Sequence, residues 1–131
     1  MWKINILLFV CFIFVTNTKA QEPQFVDVDE FYILFYENPA ALIIDVRVWK
    51  DYKKERIEGA LTGETSTQLY EIVEGFAKDQ VILFYGNNEE RARMAAQVLY
   101  KKDFTKVYVL YASYADLKQK EFPIDKSKRK K

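Results

Sequence analysis

Residues 81–96 read VILFYGNNEERARMAA, and this stretch decides the fold. Residues 81–85 are a continuous apolar run short enough to be a buried strand, Gly86-Asn87-Asn88 is a turn cluster, and the spacing from Arg91 onward is that of an amphipathic helix. In a strand, tight loop and helix of this kind the first N–H groups of the helix have no internal partners and point into the loop. The loop is therefore a candidate anion cradle. Glycine suits its first position because it takes unusual backbone angles without steric cost.

Similar units flank it. Residues 41–46 (ALIIDV) read as a second buried parallel strand whose carboxyl end delivers Asp45 and Arg47, residues 106–110 (KVYVL) as a third, and Phe25-Val26 as a short edge strand. Asp27 is a candidate N-cap, with Glu30 in capping-box position, for a helix carrying Phe31, Leu34 and Phe35 on one face and stopped by Asn38-Pro39. Residues 49–56 form a short charged helical turn with Trp49 and Tyr52 on the same side, and residues 57–61 return toward the sheet. Leu69, Ile72, Val73 and Phe76 set an amphipathic helix over 67–77. Met94, Ala95, Val98 and Leu99 set the helix after the loop, and residues 113–120 a short last one before Phe122-Pro123 ends the ordered part. Strands alternating with helices imply an α/β fold: one domain with a mainly parallel central sheet and helices on both faces.

The ends differ from this body. Lys3, the apolar run over residues 4–15 and the small residues Thr18 and Ala20 read as a signal peptide cleaved near Ala20, so the expected organisation is signal over 1–20, domain over 21–124 and basic tail over 125–131. The apolar run is shorter than a membrane-spanning helix needs, so no stable span is expected after cleavage, and the protein is expected to be exported, to the periplasm or beyond. The one cysteine, Cys11, lies inside the signal, and the chain has no histidine. The expected mature protein therefore has no disulfide, thiol nucleophile, histidine base or usual zinc site, and no metal or cofactor is expected. Residues 21–124 carry 18 acids against 13 bases, whereas residues 126–131 (KSKRKK) carry five positive charges. The acidic body offers no nucleic-acid face, and the tail is expected to be a solvated, disordered end.

The order of motifs resembles the rhodanese-like domain family. LIIDVR (42–47) followed by Tyr52, RIEGA (56–60) in place of the family's GHIPGA, the loop stretch itself, DFTKVYVL (103–110) and Glu121-Phe122-Pro123 carry the match. The family's activity is sulfur transfer through a persulfide on a cysteine that opens a C-x-x-G-x-R-S loop. Laid on this chain, that cysteine falls on Gly86, the inner glycine on Glu89, the arginine on Arg91 and the serine on Ala92. The resemblance thus implies a homologue of the sulfurtransferase fold without its nucleophile. It also implies that Asp45 and Arg47 brace the loop and the neighbouring helix. Arg56 stands where the family has histidine.

The candidate pocket is Gly86, Asn87, Asn88, Glu89, Glu90, Arg91 and Ala92 with Asp45 and Arg47. Arg91 either contacts an anion or carboxylate in the pocket or pairs with Asp45 or a nearby glutamate. Glu89 and Glu90 satisfy the helix dipole, each by about 0.3–1 kcal/mol, and repel an anionic sulfur donor. Ser66 has no base to activate it and reads as part of a helix cap. Two functions follow: a catalytically inactive binding or interaction module, monomeric, with a protein or small-anion partner; or a thiol-independent enzyme acting on a small anion or phosphate-containing substrate, in which activity depends on Arg91.

Overall fold

Ile82, Leu83, Phe84 and Tyr85 are all fully buried, as a strand covered on both sides must be. The computed structural model describes residues 22–130, and the expected signal peptide lies outside the described residues. In chain order the elements are β1 (Gln24–Val26), α1 (Val28–Glu37), β2 (Leu42–Asp45), α2 (Trp49–Lys54), β3 (Arg56–Ile57), β4 (Leu61–Thr62), α3 (Ser66–Val73), β5 (Ile82–Tyr85), α4 (Glu89–Tyr100), β6 (Val107–Leu110), α5 (Tyr114–Leu117) and β7 (Ile124–Asp125). Five strands form one sheet in the order β1-β6-β5-β2-β4, and every pairing in it is parallel. Ile44 sits opposite Phe84, and Phe84 opposite Val109.

Side-chain alternation divides the core in two. Ile43, Leu83, Tyr85 and Leu110 pack with Phe31 of α1, Tyr52 of α2 and Tyr114 and Leu117 of α5. Ile44, Val46, Ile82, Phe84 and Val109 pack with Leu69 and Val73 of α3 and Ala92, Ala96 and Leu99 of α4. The expected α/β architecture, with helices on both faces of a parallel sheet, is the one observed. Among the described residues no helix is long and apolar enough to cross a membrane.

Local chemistry sets most boundaries. The Asp27 carboxylate accepts the Glu30 N–H at 2.8 Å and starts α1, and Thr65 and Gln68 form a reciprocal capping box on α3. Several boundaries differ from the sequence reading: α2 ends at Lys54 instead of reaching residue 56, α5 spans Tyr114–Leu117 instead of 113–120, and three more have a clear local cause. The helix after the loop starts at Glu89, because the Asn88 side chain caps it by accepting the Arg91 N–H. α3 stops at Val73 instead of reaching residue 77: Gly75 takes a left-handed φ of 81°, the geometry that ends helices, and Phe76 is left outside, 42% exposed. The chain does not end its ordered part at Phe122-Pro123. It continues as β7, antiparallel to β3, with Ile57 opposite Ile124 and Arg56 opposite Asp125. The buried Arg56 draws Asp125 and Ser127 onto the domain, which a count of tail lysines does not foresee.

Candidate functional site

The carboxyl ends of β2 and β5 place two different environments on opposite sides of the sheet. Asp45 is fully buried and Arg47 is 5% exposed. The Arg47 guanidinium donates to both Asp45 oxygens, the shortest bond being 2.7 Å, and its Nη2 also donates to the Glu55 carbonyl at the end of α2. The Tyr85 hydroxyl donates to Asp45 Oδ2 at 2.8 Å and accepts the Ile57 N–H, and the Arg47 backbone N–H donates to Asp45 Oδ1. The guanidinium lies 3.7 Å from the centroid of the Tyr114 ring, which stacks on Tyr85. Burial lowers the Arg47 pKa, but the hydrogen bond to Asp45, the Asp45 charge and the neighbouring tyrosines Tyr85 and Tyr114 together outweigh it, so the pKa is raised. Burial, then the Asp45 charge, pushes the Tyr85 hydroxyl well above the usual range. Asp45 and the Nε and Nη2 atoms of Arg47 are engaged within the protein, so this cluster braces β2, β5 and α2.

The loop is open on the other side. The Gly86 carbonyl accepts the Tyr114 N–H at 2.8 Å, and the Asn87 amide donates to Asp51 of α2 at 3.2 Å. The position that the resemblance gives to the nucleophile is filled by its neighbours: a Cβ on Gly86 would stand 2.8 Å from Val46 Cγ2. The Gly86 φ lies outside the left-handed region, so a side chain there is opposed by the Val46 methyl group, which would have to shift, and not by backbone geometry. Beside the loop, α3 and α4 enclose a cleft of about 230 Å³. Val46, Leu69 and Val98 supply apolar lining, and Glu64, Ser66 and Arg91 polar lining. Glu64 accepts the Trp49 N–H at the start of α2 with one oxygen (3.1 Å), and its other oxygen lies 3.9 Å from the Arg91 guanidinium. Gly63, just before it, must be glycine, since a Cβ there would fall 2.4 Å from Ile44 Cγ2.

The expected pocket is therefore divided. Asn87, Asn88, Glu89, Glu90 and Arg91 form one continuous surface, whereas Gly86 is buried at its base and Ala92 is fully buried against the sheet. Asp45 and Arg47 belong to the opposite core cluster. The partner of Arg91 is Glu64, a residue outside the expected pocket, and Ser66 is the first residue of α3, behind its Thr65 cap. The sequence reading also missed Val46. Its alternation with Asp45 along β2 is the signal that could have placed it against Gly86. Among the described residues no group of acidic, histidine or cysteine side chains is arranged to hold a metal.

A parallel five-stranded sheet whose central strand runs through a short loop into a long helix, with a DVR segment on the neighbouring strand, defines the rhodanese class of α/β domain. The chain belongs to the rhodanese-like domain family, whose sequence profile matches residues 19–120. It is similar to the rhodanese-like domain of an Anabaena sp. protein solved by NMR, with 27% identity, a TM-score of 0.66 and coverage of 81% of this chain and 80% of that one. A rhodanese-like domain protein from Staphylococcus aureus (14% identity, TM-score 0.63, 78% and 98% coverage) shares the fold. So does a Rhodopseudomonas palustris protein described as a possible tyrosine phosphatase (15%, 0.64, 79% and 85%). No curated protein matches the chain.

Proposed function

We propose that this protein is an exported, non-catalytic rhodanese-like domain that acts as a binding or interaction module through residues 86–91 and the adjoining cleft. The observation that carries the reading is Gly86 at the loop's first position, where the resemblance places the cysteine that sulfur transfer requires; a Cβ there would come within 2.8 Å of Val46 Cγ2, so a side chain fits only if Val46 shifts. Residues 21–131 contain no cysteine that could serve instead. The surroundings agree: Asp51, Glu64, Glu89 and Glu90 border the loop, and Arg91 already faces a carboxylate, so a small anion is disfavoured. A protein partner that presents an apolar side chain flanked by a cation fits the cleft's apolar lining and acidic border.

The test is thiosulfate-to-cyanide sulfur transfer by the purified protein beside Gly86→Cys and the double variant Gly86→Cys/Val46→Ala. No turnover is expected from the unmodified protein. The single variant is expected to lose about 1–3 kcal/mol of stability to overpacking, and the double variant to recover most of it. Turnover in the unmodified protein would overturn the proposal.

A further inference from the structure

Arg56 is 1% exposed, and three of its four hydrogen bonds go to the C-terminal segment. Nη1 donates to the Tyr52 carbonyl at 3.0 Å, while Nη2 donates to Asp125 Oδ2 (2.8 Å), Ser127 Oγ (2.9 Å) and the Ser127 carbonyl (3.1 Å). Asp125 is its ion-pair partner among the described residues. The segment is shaped to deliver these groups. The Ser127 N–H donates back to Asp125 Oδ1 at 2.8 Å and closes the turn, β7 pairs with β3, and the Glu58 N–H donates to the Pro123 carbonyl. The acidic body attracts the basic tail in general, with Lys126 3.9 Å from Glu55 and Arg129 3.3 Å from Asp125. Residues 126–131 nonetheless carry five cations that the Arg56 guanidinium repels, and among the described residues of the tail only Asp125 and Ser127 bond to it. The contact also lies beyond residue 120, where the match to the family ends.

We propose that residues 124–127 are a C-terminal clasp on which the folded state depends. A guanidinium sealed between Tyr52 and the C-terminal segment is tolerable only while a carboxylate and a hydroxyl neutralise and satisfy it. Arg56 is fixed by the chain it sits in, so the tail is the removable half. A chain cut before Asp125 keeps every strand of the main sheet but removes the Arg56 carboxylate and hydroxyl partners together with part of its cover. Trimming of the exposed basic tail back through Ser127 thereby becomes a signal that loosens the domain, with β3 and the end of α2 opening first.

The test is a double-mutant cycle in the full chain, read by thermal unfolding. Asp125→Ala/Ser127→Ala is made with Arg56 present and in the Arg56→Met background, where the methionine retains the buried apolar stem without the charge. With Arg56 present the tail variant is expected to lower the midpoint by about 5–10 °C. In the Arg56→Met background the same tail variant is expected to lower it by less than a third of that. If the tail variant with Arg56 does not fold, Arg56→Met must restore folding. Equal drops in both backgrounds, no drop in either, or no rescue would each overturn the clasp.

Discussion

Two carboxylate–guanidinium pairs stand on opposite sides of the sheet and use the same chemistry for different ends. Asp45 and Arg47 meet at 2.7 Å with side chains 0% and 4% exposed, and a tyrosine hydroxyl, two backbone groups and a stacked ring complete the site. Glu64 and Arg91 approach only to 3.9 Å, with side chains 30% and 44% exposed and solvent on one side. The first pair is structural because burial leaves its members no alternative partner. The second remains available because water can replace either member at little cost. The fold keeps the brace under one end of β2 and β5 and leaves the loop beside it accessible, so a change to the pocket chemistry need not disturb the domain that displays it.

The largest expected effect tests the sealed pair. Arg47→Met leaves the Asp45 carboxylate buried with a hydroxyl and an N–H but no counter-charge, and the expected loss is about 3–5 kcal/mol. A urea titration with an unchanged slope would measure it. Asp45→Leu/Arg47→Met, which removes both charges, is expected to recover part of the loss. If Arg47→Met costs less than about 1 kcal/mol, on the scale of an exposed pair, the contrast between the two sites fails.

A smaller effect follows from the hydroxyls around the sealed pair. Burial, then the Glu55 charge, pushes Tyr114 up to about 12, and burial pushes Tyr85 well above its usual range. A raised folded pKa means the folded state holds its proton more tightly. This contribution is fully present below the unfolded value of about 10 and is lost as pH rises from there through the folded value. Alkaline destabilisation is thus expected to start near pH 10. The Tyr114 hydroxyl is buried and forms no hydrogen bond among the described residues, its neighbour Glu55 falling outside bonding geometry. Tyr114→Phe is therefore expected to be neutral or slightly stabilising at pH 7 and to make the alkaline decline shallower. An unchanged decline would show that Tyr114 does not feel this environment.

What could be read from the sequence follows the range of the interactions. The strands of residues 42–45, 82–85 and 107–110 are apolar runs bounded by turn residues, and the Asp27 cap acts over three residues, so both are written locally. The end of α3 was missed because apolar spacing continued through Phe76 while Glu74-Gly75 had already turned the chain. Placing Asp45 and Arg47 in the same pocket as Arg91 neglected the pleat: odd and even residues of β2 face different helices. Arg56 meets Asp125 and Ser127 across 69 and 71 residues, and a local pattern cannot show such a contact. In the loop, Asn87 to Arg91 lie on one surface because they are continuous in sequence, whereas Gly86 and Ala92, at either end, turn into the core.

The smallest effect on stability is expected where the proposed function lies. Glu64→Gln removes the charge that faces Arg91 and retains a carbonyl oxygen for the Trp49 N–H, so stability is expected to change by no more than about 1 kcal/mol. Arg91→Ala has the same expected ceiling, since its guanidinium is nearly half exposed and its backbone N–H remains bonded to Asn88. Both variants nonetheless alter the charge of the cleft. Sulfate titrated against the protein and followed through Trp49 fluorescence should bind more tightly to Glu64→Gln than to the unmodified chain, since the carboxylate that competes for Arg91 is gone. It should bind no better to Glu64→Gln/Arg91→Ala. Equal sulfate affinity in all three proteins would mean that Glu64 does not set the loop's charge preference, and that the contrast with the sealed pair is one of stability alone.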